Sequence, residues 1–529
     1  MPEDKEGKIT EPRKCRGWRV VVPLALILVT LGLGEWSAYW RAWNRLDQLP
    51  EQWDQAHFIS MSIRLNDKMR HDPADAYNYF VNGSPNQAPF ISLAASFLYY
   101  VFPRTVQTAL NFNTFYVAVL LLGVYFLGAR RSVLTGALAA ATIAGMMPVL
   151  QYMCLFRTEL PLAAWVALAM LCIHASEKFK WFLPTLAAGI ICGVAMLTNP
   201  IALVFLLAPV IYALIRGLAE SKLSGLRVLN FAVGLIAAFA IFSVWYLPNQ
   251  GAIHDFLLGY GFGAEGAAYR GMHPNLLFYP WMLFQDLGWP IFLAVFIAVI
   301  FAVISRLAAK REGVANRRKL DLWLVVTWVI AAYVFLNIPS DQQMQFLLPL
   351  LPGAAILLAV LITSIRWKWA LAGVTVLLLL ACGCGLYAAF SQPLTQIREV
   401  DITKDRDWRM TDIARAIAED SRGKQARVAF LANHALFTAK GFDLVALLAG
   451  HDFQVNYLGE EITPQTIGVQ LNLSDYMILK TGKQMEEGGK HLDVPVETAT
   501  EIAKEIRYVE WKRFGLPDGS EALLFKRRQ

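Results

Sequence analysis

Two short clusters of ionisable side chains interrupt an otherwise apolar sequence, and their spacing is suited to acid–base chemistry. Asp54 and His57 are three residues apart and would share one face of a helix. Arg157 and Glu159 flank the start of an apolar run, where a carboxylate is costly unless it is paired or reached by water. Structural alternatives stay open: a helix N-cap or solvated acid for Asp54, an interfacial ion pair for Arg157 and Glu159, and a structural histidine at position 57.

A divalent metal ion is a second possible use of these clusters, with Asp54, Glu159 and His57 as the candidate ligands. The eight histidines include no HExxH pair, and the six cysteines form no CxxC motif. The residues therefore leave a metal cofactor unassigned.

The composition shows what kind of chain must position these residues. Of the 529 residues, 56% are hydrophobic and 17% are charged, whereas typical soluble domains are about 45–50% apolar and about 25% charged. The net charge of +7 resides mostly in short connections between apolar runs, so it indicates membrane topology and no nucleic-acid partner. The sequence predicts a polytopic α-helical membrane protein.

A helix needs about 20 apolar residues to cross a bilayer, and about eleven segments of the chain approach this length. The first could instead be a cleaved signal peptide, but the aromatic residues after it favour a membrane anchor. The predicted spans are 18–38, 107–128, 132–150, 159–175, 181–197, 200–216, 227–247, 290–308, 320–337, 345–364 and 368–389.

Basic residues occur in every second connection between these spans. By the positive-inside rule this alternation predicts a cytoplasmic N-terminus. It places residues 39–106, 248–289 and 390–529 on the outer side. The outer loop 39–106 is predicted to contain an amphipathic helix at the membrane surface over 55–69 and a short interfacial or re-entrant helix over 89–101.

Hydropathy falls after residue 390, and the tail 391–529 predicts a soluble extracytoplasmic α/β domain. Alternating strand and helix patterns favour a small, partly parallel sheet. Its predicted strands are 427–431, 453–458 and 476–479, and its predicted helices are 412–419, 442–448 and 498–506. No phosphate loop, nucleophile elbow or metal spacing occurs in the tail, which favours docking or stability over catalysis.

The order of several motifs along residues 18–389 resembles the GT-C membrane glycosyltransferases, in particular the bacterial branch related to protein O-mannosyltransferases and aminoarabinose transferases. The matching segments are Trp53-Asp54-Gln55-Ala56-His57, Asn86-Gln87-Ala88-Pro89-Phe90, Arg157-Thr158-Glu159-Leu160-Pro161, 193–200 and 345–352. The chain departs from that family at three positions. Gln55 stands where a second acid is common, Gln87 lies in a motif that often has a basic residue, and Gln345 stands where an Arg is frequent.

The resemblance implies an enzyme of the bacterial inner membrane, with residues 1–390 as its transferase domain. It implies transfer of a sugar from a polyprenyl phosphate to a lipid, glycan or protein acceptor on the outer face. Asp54 would be the base of an inverting displacement, and Glu159 would orient the acceptor or a metal ion. The candidate substrate-binding residues are His57, Arg157, Arg270 and Gln345. Arg270 is the candidate for the phosphate of the donor, and Arg64, Lys68 and Arg104 compete with it for this role.

Other classes of function predict different patterns. A lipid or polysaccharide transporter or flippase would place ionisable residues in mid-span or repeat its two halves. The span centres are nearly free of charge, and the acids gather at helix ends. The pattern therefore favours an enzyme acting on a lipid substrate at the surface, with a transporter or a non-catalytic export subunit as the alternatives.

Overall fold

The structure is a computed structural model, and it describes residues 24, 50–51, 53–221, 225–262, 276–307, 320–339, 342–391, 407–422, 424–432, 434, 436–457, 464–482, 486–487, 490–491 and 496–528. The membrane part up to residue 391 is helical. Its helices are α1 (Trp53–His71), α2 (Pro73–Asn82), α3 (Phe90–Leu98), α4 (Val106–Asn111), α5 (Asn113–Ala129), α6 (Val133–Ala144), α7 (Met147–Met153), α8 (Glu159–Ala175), α9 (Phe182–Thr198), α10 (Ala202–Ser221), α11 (Gly225–Phe262), α12 (Phe278–Leu307), α13 (Leu322–Leu336), the 3-10 helix Met344–Leu350, α14 (Leu351–Thr363) and α15 (Lys368–Ser391).

Within the described residues, 4 apolar helices are long enough to cross a membrane. They are Val106–Ala129, Ala202–Glu220, Gly225–Gly259 and Met344–Thr363. A fifth candidate is the pair α6 and α7, which is bent by 61°. The shorter apolar helices are Glu159–Ala175, Phe182–Thr198, Ile291–Ile304, Leu322–Leu336 and Lys368–Cys384.

These apolar segments coincide with every predicted span after the first. The first predicted span, 18–38, lies outside the described residues except for Leu24, so the total of about eleven spans remains a prediction. The segment 248–289, predicted as an outer loop, contains helical residues, because α11 continues to Phe262 and α12 begins at Phe278.

Close backbone contact joins two of the apolar helices. A Cβ added at Gly189 of α9 would lie only 2.1 Å from the carbonyl oxygen of Gly234 in α11. Small residues permit such an approach where helices pack without a hydrophobic driving force between them. Helix α9 ends at Thr198, and the next residue, Asn199, is extended because it precedes a proline. This connection leads directly to α10.

Helix α1 is more deeply buried than a surface helix. Phe58, Ser62 and Leu65, predicted to share its apolar face, are all buried, but so are residues on its other faces, including Ser60 and Asn66. The helix predicted over 55–69 is confirmed, with α3 packed on one side and the tail on another; its place at the membrane surface stays a prediction. Helix α3 falls within the short helix predicted over 89–101.

The tail forms the predicted partly parallel sheet. Its elements are α16 (Met410–Ser421), β1 (Arg427–Leu431), α17 (Ala439–Leu448), β2 (Gln454–Tyr457), α18 (Pro464–Asn472), β3 (Tyr476–Lys480), β4 (Glu486–Glu487), β5 (Lys490–His491), α19 (Val496–Glu505), β6 (Tyr508–Gly515) and β7 (Glu521–Arg527). The main sheet has the order β2-β1-β3-β7-β6; β1 is parallel to β2 and β3, while β7 is antiparallel to β3 and β6.

The N-terminus of α17 lies at the carboxyl edge of this sheet, because the helix directly follows β1. Helix α17 packs on α1 through Leu444, which is buried in one cluster with Ala56 and Ile59. Beside this cluster, Arg64 of α1 donates to both carboxylate oxygens of Asp443 at 2.7 and 2.6 Å. The carboxyl edge of the sheet is therefore held against the start of α1.

Candidate functional site

Asp54 lies in the first turn of α1, and three different segments contact its carboxylate. Gln87 donates a hydrogen bond of 2.7 Å from its Nε2 to Oδ1. The ammonium of Lys440, in the first turn of α17, is 3.5 Å from the same oxygen. On the other side, Nη2 of Arg157 is 3.9 Å from Oδ2. The carboxylate therefore lies between two cations.

Arg157 connects Asp54 with the second candidate acid. Its Nη2 is 3.4 Å from Oε1 of Glu159, and the same nitrogen donates to Oε1 of Gln345 at 2.8 Å. Gln345 belongs to the 3-10 helix that precedes α14. The structure thus brings together four predicted site residues: Asp54, Arg157, Glu159 and Gln345.

Buried polar contacts fix the segment that carries Arg157. Asn113 donates to the carbonyl oxygens of Met153 and Leu155 at 2.8 and 3.0 Å. The amide of Phe156 donates to Oε1 of Gln55 at 3.2 Å, which ties this segment to α1. These contacts hold the backbone that leads to Arg157 from both sides, as a preorganised site requires.

The charges around Asp54 govern its ionisation. Burial raises the pKa of Asp54, but Lys440, Arg157 and the hydrogen bond from Gln87 together bring this pKa below its ordinary value. The carboxylate is therefore ionised at neutral pH. Its side chain is 37% exposed, so the carboxylate is accessible from outside the protein.

His57 lies one turn after Asp54, but its ring contacts a different partner. Its Nε2 is 3.0 Å from the hydroxyl oxygen of Ser84. Burial and the nearby Lys440 lower the pKa of His57 to about 3, although Asp54 acts in the opposite direction. The imidazole is therefore neutral at physiological pH, and its described contact is with Ser84.

The candidate metal ligands Asp54, Glu159 and His57 do not assemble into a metal site. In the part of the chain that the structure describes, no group of three or more His, Cys, Asp or Glu side chains could hold a metal ion. Arg157 lies between the two acids, and a guanidinium repels a divalent cation. The donor set therefore does not fit a divalent metal.

Two buried polar atoms at the site have no hydrogen-bond partner among the described residues. One is Oε2 of Glu159, in a residue that is 7% exposed, and the other is Oε1 of Gln87. Buried acceptors without a partner are costly, so such groups often mark a place for a ligand or an ordered water. Both belong to side chains that contact Asp54 or Arg157.

The remaining predicted residues lie elsewhere. Arg270 falls outside the described residues. Its three competitors each pair with an acid other than Asp54: Arg64 with Asp443, Lys68 with Asp75 and Arg104 with Asp67. These pairs stabilise the region around α1.

Lys440 was not among the predicted residues. It is separated from Asp54 by 386 positions, and no local pattern links them. The sequence contains only a weak signal: Thr438 is a residue type that caps helices, and in the structure its hydroxyl accepts from the amide of Gly441 at the start of α17. The contact could be found only after the tail was placed on α1.

Comparisons with known proteins agree with this architecture. No protein-family model matches the sequence, and no curated protein matches it. Among solved structures, ArnT from Cupriavidus metallidurans bound to undecaprenyl phosphate has a TM-score of 0.58 at 13% identity, covering 96% of this chain and 98% of that chain. The Archaeoglobus fulgidus oligosaccharyltransferase in complex with Zn and sulfate has a TM-score of 0.56 at 14% identity, covering 94% and 72%.

The chain has the GT-C fold. A third structure agrees: AglB of Archaeoglobus fulgidus, in complex with an inhibitory peptide and a dolichol-phosphate, has a TM-score of 0.55 at 12% identity, covering 95% and 74%. The resemblance deduced from the motifs is thus confirmed at the level of the fold. Because the coverage of this chain reaches 96%, the GT-C likeness includes most of the tail as well as the apolar helices.

Proposed function

We propose that this protein is a glycosyltransferase that moves a sugar from a polyprenyl phosphate to an acceptor hydroxyl or amine. Its fold is that of proteins whose structures contain undecaprenyl phosphate or dolichol-phosphate. The single observation that carries the proposal is the accessible carboxylate of Asp54, ionised between Arg157 and Lys440. Such a group can accept a proton beside a bound anion.

In this proposal Asp54 is the general base. The acceptor oxygen or nitrogen attacks the anomeric carbon from the side opposite the phosphate, and the bond from that carbon to the phosphate oxygen breaks. The phosphate oxygen keeps the electron pair, and Asp54 takes the proton of the acceptor. The configuration at the anomeric carbon is inverted, and a base in this position typically contributes about 10²–10⁴-fold to the rate.

The neighbouring residues would orient the reactants. Glu159 presents the unpartnered Oε2 to the acceptor, while its other oxygen is held by Arg157. Gln345 fixes the guanidinium through a hydrogen bond of 2.8 Å. His57, being neutral, would contribute a polar contact through its ring. These roles require no metal ion.

The reaction would take place on the outer face of the bacterial inner membrane. The alternating basic connections support a cytoplasmic N-terminus and an extracytoplasmic tail. A phosphatase reporter, active only outside the cytoplasm, should therefore be active when fused after residue 529. Activity restricted to a cytoplasmic reporter at this position would contradict the assignment.

The test of function is transfer from radiolabelled polyprenyl-phosphate sugars, with Asp54→Asn as the variant. This change keeps the shape of the side chain and its hydrogen bond with Gln87 but removes the base, so transfer should fall by at least about 10²-fold. Asp255→Asn is the matched control, because the Asp255 side chain is 84% exposed. Normal turnover by Asp54→Asn would exclude this residue as the base. Movement of the lipid without sugar transfer would instead indicate a flippase.

A further inference from the structure

We propose that Lys440, supplied by the tail, binds the phosphate of the lipid donor together with Arg157, and that these two side chains provide the positive charge at the site in place of a divalent metal ion. The inference rests on the proposed function, because it specifies how the same site holds its donor. It also gives the tail a direct part in substrate binding.

The two cations have hydrogen-bonding capacity left beside Asp54. Lys440 has three N–H donors, and its ammonium is 3.5 Å from Asp54, at the long limit of a hydrogen bond. Arg157 has five donors and is 3.9 Å from the other carboxylate oxygen. The two side chains remain 28% and 26% exposed. Both can therefore donate to an anion that approaches beside the carboxylate.

A divalent ion would find no comparable set of ligands. Mg²⁺ and Ca²⁺ bind several oxygen ligands at about 2.0–2.6 Å. Oδ1 of Asp54 already accepts from Gln87 and faces Lys440, and Oδ2 faces Arg157. A cation bound to either oxygen would lie next to a positive side chain. The arrangement instead suits an anion, which both side chains attract.

The position of Lys440 depends on how α17 docks. Lys440, Asp443 and Leu444 have the spacing of one helix face, and all three contact α1 or its hydrophobic cluster. Asp443 accepts two hydrogen bonds from Arg64 at 2.7 and 2.6 Å. This ion pair fixes the helix one turn away from the ammonium, so docking of the tail places the cation at the site.

Binding of the donor would also activate the base. Lys440 and Arg157 are the two charges that lower the pKa of Asp54 against the effect of burial. A phosphate bound to both cations offsets their charge, so the basicity of Asp54 rises when the donor is present. When the glycosidic bond breaks, the phosphate gains negative charge, and the same two cations stabilise it. The acceptor proton passes to Asp54.

The test measures binding of undecaprenyl phosphate and of undecaprenol to the purified full-length protein in nanodiscs. The two lipids differ only in the phosphate, so their affinity ratio isolates its recognition. We expect the wild type to prefer undecaprenyl phosphate and Lys440→Met to lose at least about 10-fold of this preference, which corresponds to about 1.4 kcal/mol. Lys440→Arg should keep most of it. Lys504→Met is the matched control, because Lys504 is exposed on α19.

Each outcome distinguishes the two proposals. If the wild type binds both lipids equally, the proposed lipid-phosphate donor is wrong. If the wild type prefers the phosphate and a folded Lys440→Met protein keeps the full preference, the role of Lys440 is wrong. Lys440→Gln provides a second neutral variant if the Met protein unfolds. Loss of phosphate binding in EDTA, restored by Mg²⁺ or Mn²⁺, would overturn the inference that protein side chains replace the metal.

Discussion

Replacing Asp443 with Ala should loosen the tail from α1 without touching a side chain of the site. Asp443 accepts two hydrogen bonds from Arg64, and the two side chains are only 16% and 21% exposed. Breaking a fully buried pair by removing one partner costs about 3–5 kcal/mol. The remaining exposure and the second acid near Arg64, Asp452 at 3.1 Å, reduce this loss. We therefore expect a cost of about 2 kcal/mol, or about 30-fold in the docking equilibrium.

The assay is amide hydrogen exchange of peptides that cover α17 and the first turns of α1. Opening of this interface should become about 30-fold more frequent in Asp443→Ala, while exchange in β1 and β3 stays unchanged. Asp452→Ala is the matched control on the same arginine. Its side chain is 60% exposed, so its removal should cost no more than about 1 kcal/mol.

A double-mutant cycle decides whether the effect belongs to this ion pair. The changes Arg64→Met and Asp443→Ala should be strongly non-additive, because each removes the same two hydrogen bonds. The preference for undecaprenyl phosphate should fall in Asp443→Ala as the ammonium of Lys440 leaves the site. Unchanged exchange in α17, or equal effects of Asp443→Ala and Asp452→Ala, would refute the reasoning.

Three further predictions concern stability. The pKa of His57 is lowered to about 3 in the folded protein, so below the ordinary histidine pKa of about 6.5 the unfolded chain binds a proton that the folded protein does not. The free energy of unfolding should therefore decrease as the pH is lowered, by about 2 kcal/mol at pH 5, and His57→Gln should lessen this loss in thermal unfolding. Asp518→Ala should destabilise the tail by about 3 kcal/mol in denaturant titrations, because it leaves the fully buried Lys480 without the acid at 2.7 Å. Gly189→Ala should lower the melting temperature, since its Cβ would meet a carbonyl oxygen at 2.1 Å, whereas Gly373→Ala, with nothing within 4 Å, should not.

The apolar helices could be predicted because one quantity, the length of an uncharged apolar run, determines where a helix can cross a bilayer. The position of α1 along the chain could also be predicted from its residue pattern, but the elements that pack on it could not. An amphipathic pattern reports the polar and apolar faces of a helix, and it does not report what covers the polar face. For α1 the cover is the tail, whose Asp443 neutralises Arg64.

The hairpin of β6 and β7 was missed although the sequence contains a signal for it. Pro517, Asp518 and Gly519 separate two runs with strand-forming residues, and Gly519 has a φ of +81°, which favours glycine. No element is predicted from residue 508 onward. Consequently the parallel part of the sheet was predicted, and its antiparallel edge was not.

The three positions where the chain departs from the family pattern suggest why its site needs a cation from the tail. Gln55 bridges to the amide of Phe156, Gln87 donates to Asp54, and Gln345 accepts from Arg157. An amide both donates and accepts, so each side chain completes a network without adding charge. Arginine or lysine at the last two positions would have brought positive charge from the membrane part itself. With amides there, the charge opposite Arg157 comes from Lys440 across the docked interface. Donor binding and tail docking should then be coupled, and each should strengthen the other.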